Sequence, residues 1–137
     1  MREILFRGKR TDDGEWMCGS LTVWSDGSTS IDETQTDTSP LYSVIPETVG
    51  QYTGLTDRNG TKIFEGDIVQ TEINCGNYKS FKFPVAVVVF ENGSFCLKDT
   101  KNITPLTSYS SCVSFEVIGN VHDNLKLLKG EGYGTIY

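Results

Sequence analysis

Short runs of alternating apolar and polar residues dominate this chain, and clusters of turn-forming residues interrupt them about every ten to fifteen positions. Alternation with a period of two places successive side chains on opposite faces of a strand, and a helical period is almost absent. The pattern predicts an all-β fold of short strands, arranged as a barrel or a sandwich. One short helix is expected near the C-terminus.

The N-terminal part of the chain predicts β hairpins. Strands are expected over residues 3–8 and 15–24, with an Asp-Gly turn dipeptide between them. Residues 25–39 contain four Ser, four Thr and one large apolar residue, Ile31. Because so little apolar surface cannot fix a segment in place, we expect an exposed hairpin or mobile loop there.

Two further elements are predicted in the second half of the chain. Residues 81–90 form the most apolar run, with apolar side chains at both odd and even positions, which is typical of a buried central strand. Asp123 or Asn124 is a candidate cap for a short C-terminal helix. This helix is expected to contribute three apolar side chains, those of Leu125, Leu127 and Leu128.

The stretch QYTGLTDRNGTKIFEGDIVQ, residues 51–70, is dense in turn-forming residues. Asp57 to Gly60 fit a type I turn followed by a left-handed glycine, and Gly66 marks a second bend at which Asp67 bonds local amides. Because each polar residue has a role in the backbone, the stretch predicts turns and no ligand site. The residues expected to specify turns are Gly54, Asp57, Asn59, Gly60, Glu65, Gly66, Asp67, Gly119 and Asn120.

Two chemical interpretations of the same acidic residues are weaker. A calcium loop of the EF-hand type has glycine at its sixth position, whereas Gly60 is the fourth residue counted from Asp57. Glu65 and Asp67 resemble a general acid–base pair, but neighbouring acids in a turn are usually solvated, and no apolar pocket is expected beside them to raise a pKa. The sequence therefore predicts no metal ligands and no cofactor.

The cysteines and the single histidine give no recognisable site. Cys18, Cys75, Cys96 and Cys112 are widely spaced, without a Cys-x-x-Cys pair, and with His122 they supply the usual zinc ligand sets poorly. Nothing around the thiols resembles a nucleophile motif, so no catalytic residue is predicted. The chain has no apolar stretch of signal-peptide type at its start and none of about 18 residues, the length of a membrane span. We expect a soluble intracellular protein with reduced thiols.

Charge argues against some partners. Twelve Lys and Arg against eighteen Asp and Glu give a net charge of −6, which opposes non-specific attachment to nucleic acid or anionic lipid. Four basic residues nevertheless fall within the first ten positions: Arg2, Arg7, Lys9 and Arg10. They are a candidate contact patch for nucleic acid, or they mark a solvated strand edge on which cations discourage unwanted pairing.

Four segments resemble the YopX family, small proteins of bacteriophages and prophages: MREILFRGKR, GEWMCGSL, VIPETVGQYTGLTDRNGTKIFEGDIV and VIGNVHDNLKLL. The block of residues 44–69 is the most specific, whereas Leu125 stands where the family often has a proline. The resemblance implies one domain over residues 1–137, with an N-terminal β segment over 1–50 and an SH3-type barrel over 51–137. It also implies the cytoplasm of a bacterial host. The family has no established activity and no site residues to carry over.

Three functions follow as hypotheses. The leading one is a non-enzymatic phage accessory protein that binds another protein or a second copy of itself, because the exposed edges of small barrels can add a partner's strand. The alternative is a nucleic-acid-binding protein of phage DNA or RNA metabolism, by analogy with other SH3-like barrels. The third is a small enzyme whose site is assembled from residues distant in sequence. No membrane partner is expected.

Overall fold

The structure, a computed structural model, describes residues 1–33, 40–76 and 80–129. It is mainly β, with curled sheet and one short C-terminal helix, which confirms the predicted fold class. The chain divides into two compact units, Met1–Gly54 and Leu55–Tyr137. The sequence-based division at residue 50 stays a prediction. The single domain and the SH3-type barrel stay predictions.

The first unit is built from antiparallel strands in the spatial order β4-β3-β2-β1-β5. Their bounds are β1 (Phe6–Lys9), β2 (Trp16–Val23), β3 (Thr29–Asp32), β4 (Tyr42–Val44) and β5 (Gly50–Thr56), and a 3-10 helix covers Pro46–Thr48. The end of β1 also reaches β4, since the Thr11 amide donates to the Ser43 carbonyl at 3.0 Å and the Ile45 amide donates to the Lys9 carbonyl at 2.8 Å. The sheet therefore curls back on itself.

A small apolar core fills the inside of this curl. Met17, Ile31 and Val44 are buried together there, and partly buried apolar side chains pack around them. The curl brings β1 so close to β4 that a Cβ added to Gly8 would lie 3.1 Å from the Cβ of Val44. Glycine at this position therefore permits the close approach of the two strands.

The expectation of an exposed hairpin or mobile loop over residues 25–39 is partly wrong: β2 and β3 do form a hairpin, but β3 is not exposed. Strand β3 lies inside the sheet, between β2 and β4, and Ile31 is fully buried. The hydroxyl of Thr29 donates to the Val44 carbonyl at 3.0 Å. Strand β3 thus forms hydrogen bonds with both neighbouring strands and buries one large apolar side chain. These contacts stabilise a strand in a segment whose polar composition predicts a loop. Residues 34–39 lie outside the described residues.

The second unit contains seven strands within its described residues and one helix. These are β6 (Lys62–Phe64), β7 (Asp67–Ile73), β8 (Phe81–Lys82), β9 (Ala86–Glu91), β10 (Ser94–Lys98), β11 (Ile103–Pro105), β12 (Val113–Asn120) and α1 (Lys126–Lys129), with a 3-10 helix at Leu106–Ser108. Five strands follow the antiparallel order β11-β10-β9-β7-β12, and β8 pairs with β7 as well. Strand β9 is therefore central, as its apolar pattern predicts.

Burial on both faces of β9 comes from two clusters of side chains. One contains Ile63, Val69, Ala86, Val88, Leu97 and Leu106, and the other contains Ile68, Val85, Val87 and Leu128. The run 81–90 is nevertheless not one strand, because β8 and β9 are separated at Pro84, which has no amide for a ladder bond. Leu128 is buried on the sheet, whereas Leu125 and Leu127 are exposed, so the helix contributes one of the three expected apolar contacts.

A disulfide joins Cys75 to Cys112, with 5.3 Å between their Cα atoms. It lies just beyond the paired ends of β7 and β12, where the Asn74 amide donates to the Cys112 carbonyl at 3.0 Å. The expectation of four reduced thiols is therefore wrong for these two, because strand pairing brings together residues 37 positions apart. Cys18 and Cys96 lie outside any disulfide.

The carboxylate of Asp57 connects the turn after β5 to β12. Asp57 is buried, and its Oδ1 accepts hydrogen bonds from the amides of Asn59 and Thr61, both at 2.9 Å. Its Oδ2 accepts the amide of Val117 at 2.9 Å. Burial alone would raise the pKa of this carboxyl, but the three amides and the charge of Arg58 favour the ionised form and leave the pKa below its ordinary value of 3.8.

The turn glycines make a first prediction. Gly60 and Gly66 have φ angles of +82° and +88°, a region that strains other residues. Replacing either with Val should lower the free energy of unfolding by about 1–3 kcal/mol, as measured by urea and thermal denaturation. Gly60→Asn is the matched control, because Asn tolerates left-handed backbone and should lose much less. Equal stability of Gly60→Val and Gly60→Asn would contradict the assignment of strain.

The Asp57 carboxylate makes a second prediction. Asp57→Ala removes the acceptor of three amides and should lower the free energy of unfolding by about 2–4 kcal/mol at pH 7. Asp26→Ala is the control, since Asp26 accepts the Ser28 amide in an exposed turn and should change stability little.

The same pair of proteins gives a pH dependence. Because the pKa of Asp57 is lowered on folding, its stabilisation is complete above the ordinary value near 3.8 and is lost as the pH falls through the lowered pKa. The stability difference between the wild type and Asp57→Ala should therefore shrink in acid. Denaturation curves between about pH 2 and pH 7 measure this difference, and a constant difference would contradict the role of the ionised carboxylate.

Candidate functional site

Most of the residues predicted to specify turns lie in turns or near strand ends, where the side chains of Asp57, Asp67 and Asn120 accept backbone amides. Asp67 is buried, and its Oδ2 accepts the Phe64 amide at 2.7 Å. Asn120 accepts the amides of His122 and Asp123 through Oδ1 at 2.9 and 3.0 Å. Asn59 and Gly60 complete the Asp57 turn, Glu65 and Gly66 connect β6 to β7, and Gly119 lies in β12 against Asn124. Gly54 instead lies within β5, although its φ of +88° is typical of glycine.

The candidate basic patch separates into two arrangements. Arg7 and Lys9 share one face of β1, and their charged groups lie 4.8 and 5.5 Å from the ring centre of Trp16, which pairs with Lys9 across the sheet. Arg10 instead binds Asp12 at 2.6 Å and lies 4.3 Å from the ring of Tyr42. Arg2 is exposed and lies before β1.

The ion pair between Arg10 and Asp12 shifts the pKa values of both groups. The hydrogen bond from Arg10 lowers the pKa of Asp12 below its ordinary value, and the same bond raises the pKa of Arg10. Arg10 is therefore partly neutralised by its own turn.

A metal site requires a cluster of ligating side chains. Within the described ranges, no group of three or more His, Cys, Asp and Glu is placed to hold a metal ion. His122 is exposed in the turn after β12, and Cys96 is buried in β10.

A cleft opens in the second unit where the ladder between β9 and β10 ends. The last pair in that ladder is Val87 with Lys98. Beyond it Pro84 supplies no amide, and the chain after Lys98 turns away, with the Asp99 amide donating to the Asn102 carbonyl at 2.9 Å. The space between these segments measures about 150 Å³. We call it the β9–β10 cleft, and its principal lining residues are Thr71, Phe83, Asp99, Asn102, Thr104 and Tyr109.

One wall of the β9–β10 cleft is the aromatic ring of Phe83. The Phe83 amide donates to the Thr71 carbonyl at 3.0 Å, and the Phe83 carbonyl accepts a hydrogen bond from the side-chain amide of Gln70. The ring lies edge to face against Phe81, with 5.2 Å between centroids, and Phe81 is 60% exposed. Backbone hydrogen bonds thus hold Phe83 in place, and its ring contacts the exposed ring of Phe81.

Asp99 contributes a carboxylate residue to the lining of the cleft. Oδ1 of Asp99 accepts the amides of Lys101 and Asn102 at 2.8 and 2.7 Å, which holds the side chain in the turn between β10 and β11. This arrangement, in which an Asp side chain bonds the amides that follow it, fixes the position of a negative charge at the cleft.

Tyr109 completes the lining. Its ring lies edge to face against Phe115, with 5.2 Å between centroids, and its hydroxyl is hydrogen-bonded to Thr104. Burial raises the pKa of Tyr109, and the negative charge of Asp99 raises it further, whereas the bond to Thr104 lowers it.

Sequence reasoning missed this cleft. Phe83, Asp99 and Tyr109 come from three separate connections and share no motif. A local signal was nevertheless present in Pro84, which interrupts the apolar run and marks where the central strand loses its neighbour.

Within the described part of the chain, no helix has the length and apolar character needed to cross a membrane.

Comparison with known proteins identifies the fold and the family. The crystal structure of protein EF1440 from Enterococcus faecalis matches with a TM-score of 0.58 at 23% sequence identity, over 93% of this chain and 99% of that one. At this identity the likeness establishes the fold alone. No curated protein matches the chain. The sequence model of the YopX protein family matches residues 5–129, and the chain therefore belongs to the YopX family.

Proposed function

We propose that this YopX-family chain is a non-enzymatic accessory protein of a phage or prophage that binds another protein through its second unit. The observation that carries the proposal is Phe81. Its side chain is 60% exposed, yet its ring is held against Phe83 beside the β9–β10 cleft. An exposed aromatic ring next to a concave site is a typical anchor of a protein interface.

Restricted motion strengthens this argument. Aromatic side chains dominate interface energetics because they bury a large area and have few rotatable bonds to immobilise. The edge-to-face contact and the backbone bonds of Phe83 limit the motion of the pair before any partner arrives. A partner that covers Phe81 would therefore lose less conformational entropy than one that must order a flexible side chain.

The sheet of the second unit offers a second means of contact. Its strand order ends at β11, which pairs with β10. A terminal strand presents backbone groups to which a partner's extended segment can pair. The turn that joins β10 to β11 carries Asp99, which also lines the β9–β10 cleft. The terminal strand β11 is therefore connected directly to the cleft lining.

A capture experiment tests the proposal. Immobilised protein is incubated with a lysate of lysogenic or phage-infected bacteria, and bound proteins are quantified by mass spectrometry. Phe81→Glu should reduce capture of the partner at least tenfold, because a buried aromatic anchor contributes about 2 kcal/mol or more. Leu41→Glu is the control, since Leu41 is 48% exposed in the first unit and should leave capture unchanged.

Light scattering on the purified proteins measures self-association in the same series. A chain that captures no protein above background and stays monomeric would overturn the proposal. Equal loss in Phe81→Glu and Leu41→Glu would also overturn it, because it would indicate general surface adhesion.

Nucleic-acid binding through the first unit is the second candidate, and the contacts of Trp16 favour it. An aromatic ring flanked by Arg7 and Lys9 resembles the stacking platforms on which single-stranded nucleic acids bind. The net charge of −6 opposes this function, so we rank it below protein binding.

Fluorescence anisotropy with labelled single-stranded DNA and RNA tests the second candidate. The double variant Arg7→Gln/Lys9→Gln should weaken binding at least tenfold at low salt, and affinity should fall steeply as salt is added. Lys101→Gln, an exposed cation of the second unit, is the control and should bind as the wild type does. Absence of binding at low salt, or equal affinity of the double variant, would reject this candidate.

A further inference from the structure

We propose that the β9–β10 cleft binds the guanidinium group of an arginine side chain presented by the protein partner. This inference rests on the proposed function and specifies which chemical group the second unit recognises. The cleft combines one carboxylate, two aromatic residues, three polar residues with oxygen acceptors (Thr71, Asn102 and Thr104) and three apolar residues (Pro84, Ala86 and Leu97).

The carboxylate of Asp99 supplies the counter-charge. Its two hydrogen bonds from backbone amides, those of Lys101 and Asn102, are both made to Oδ1. Within the described residues Oδ2 accepts no hydrogen bond, although an ionised carboxylate has about four lone-pair sites. The turn thus uses one oxygen to fix the group and leaves the other for a cationic donor.

The rest of the lining suits a flat cation with several donors. Phe83 and Tyr109 are rings on which a guanidinium plane can stack. Thr104 and Asn102 add oxygen acceptors, and a guanidinium has five N–H donors to satisfy. A cleft of about 150 Å³ is comparable to a cavity that holds one benzene ring, which is close in size to a guanidinium with its neighbouring methylene groups.

Arginine fits this lining better than lysine. An ammonium is a compact and strongly hydrated point charge, whereas a guanidinium is planar, more weakly hydrated and able to stack while it binds a carboxylate. The exposed ring of Phe81 beside the cleft gives the polypeptide that carries the arginine a surface to cover. The net charge of −6 adds a general attraction for a cationic partner.

An NMR titration of the full chain tests the assignment. The probe is N-acetyl-arginine amide, with N-acetyl-lysine amide as the rival cation and N-acetyl-citrulline amide as the neutral isostere. We expect saturable amide shifts centred on Asp99, Asn102, Thr104 and Tyr109, with a Kd on the order of millimolar for one isolated side chain. The lysine probe should bind several-fold more weakly, and the citrulline probe at least tenfold more weakly.

Two matched variants identify the carboxylate. Asp99→Asn keeps an Oδ1 acceptor for the turn but removes the charge, and should weaken the arginine probe at least tenfold. Asp26→Asn is the control, because Asp26 holds an equivalent exposed turn in the first unit and should leave the affinity unchanged. Shifts that do not saturate, equal binding of citrulline or lysine, or unchanged affinity in Asp99→Asn would each overturn the inference.

The capture experiment separates this inference from the proposed function. If Asp99→Asn captures the partner as well as the wild type while Phe81→Glu does not, protein binding stands and the arginine assignment is overturned. If the arginine probe binds in the cleft but the wild type captures no protein, the guanidinium site is supported and the protein partner is overturned.

Discussion

The order of the second unit depends on the hydrogen bonds that three backbone amides donate to the buried carboxylate of Asp57. A charge buried without partners is strongly destabilising, and here three amides compensate it, two in its own turn and one from Val117. The bond to Val117 spans 60 positions of sequence. One side chain therefore determines both the shape of a local turn and the place of the last strand.

The neighbouring residue extends this connection. The amide of Arg58 donates to the Phe115 carbonyl at 2.9 Å, and its guanidinium pairs with Glu116 and, at 3.5 Å, with Glu72. The contacts to Phe115 and Glu116 lie in β12 beside the register shift between Val117 and Gly119, where the pairing with β7 is irregular. The turn thus supports β12 at the point where its regular pairing is interrupted.

The sequence predicted what depends on local chemistry. The all-β class, the left-handed glycines and the Asp57 turn follow from residues a few positions apart, and the centre of the sheet follows from the apolar run. What it missed depends on partners far along the chain. Strand β3 is polar but is completed by neighbours on both sides, the Cys75–Cys112 pair is created by strand register, and the cleft needs three separate connections. The block of residues 44–69, from which the sequence predicts turns, contributes none of the cleft lining.

The disulfide places most of the cleft lining within one covalently closed segment of the chain. Cys75 and Cys112 close a covalent ring, and five of the six principal lining residues of the cleft belong to the residues inside it. The disulfide that closes this ring lies beside the paired ends of β7 and β12. While the bond is oxidised, a single proteolytic cut within the ring leaves the two fragments covalently joined, so the walls of the cleft cannot diffuse apart.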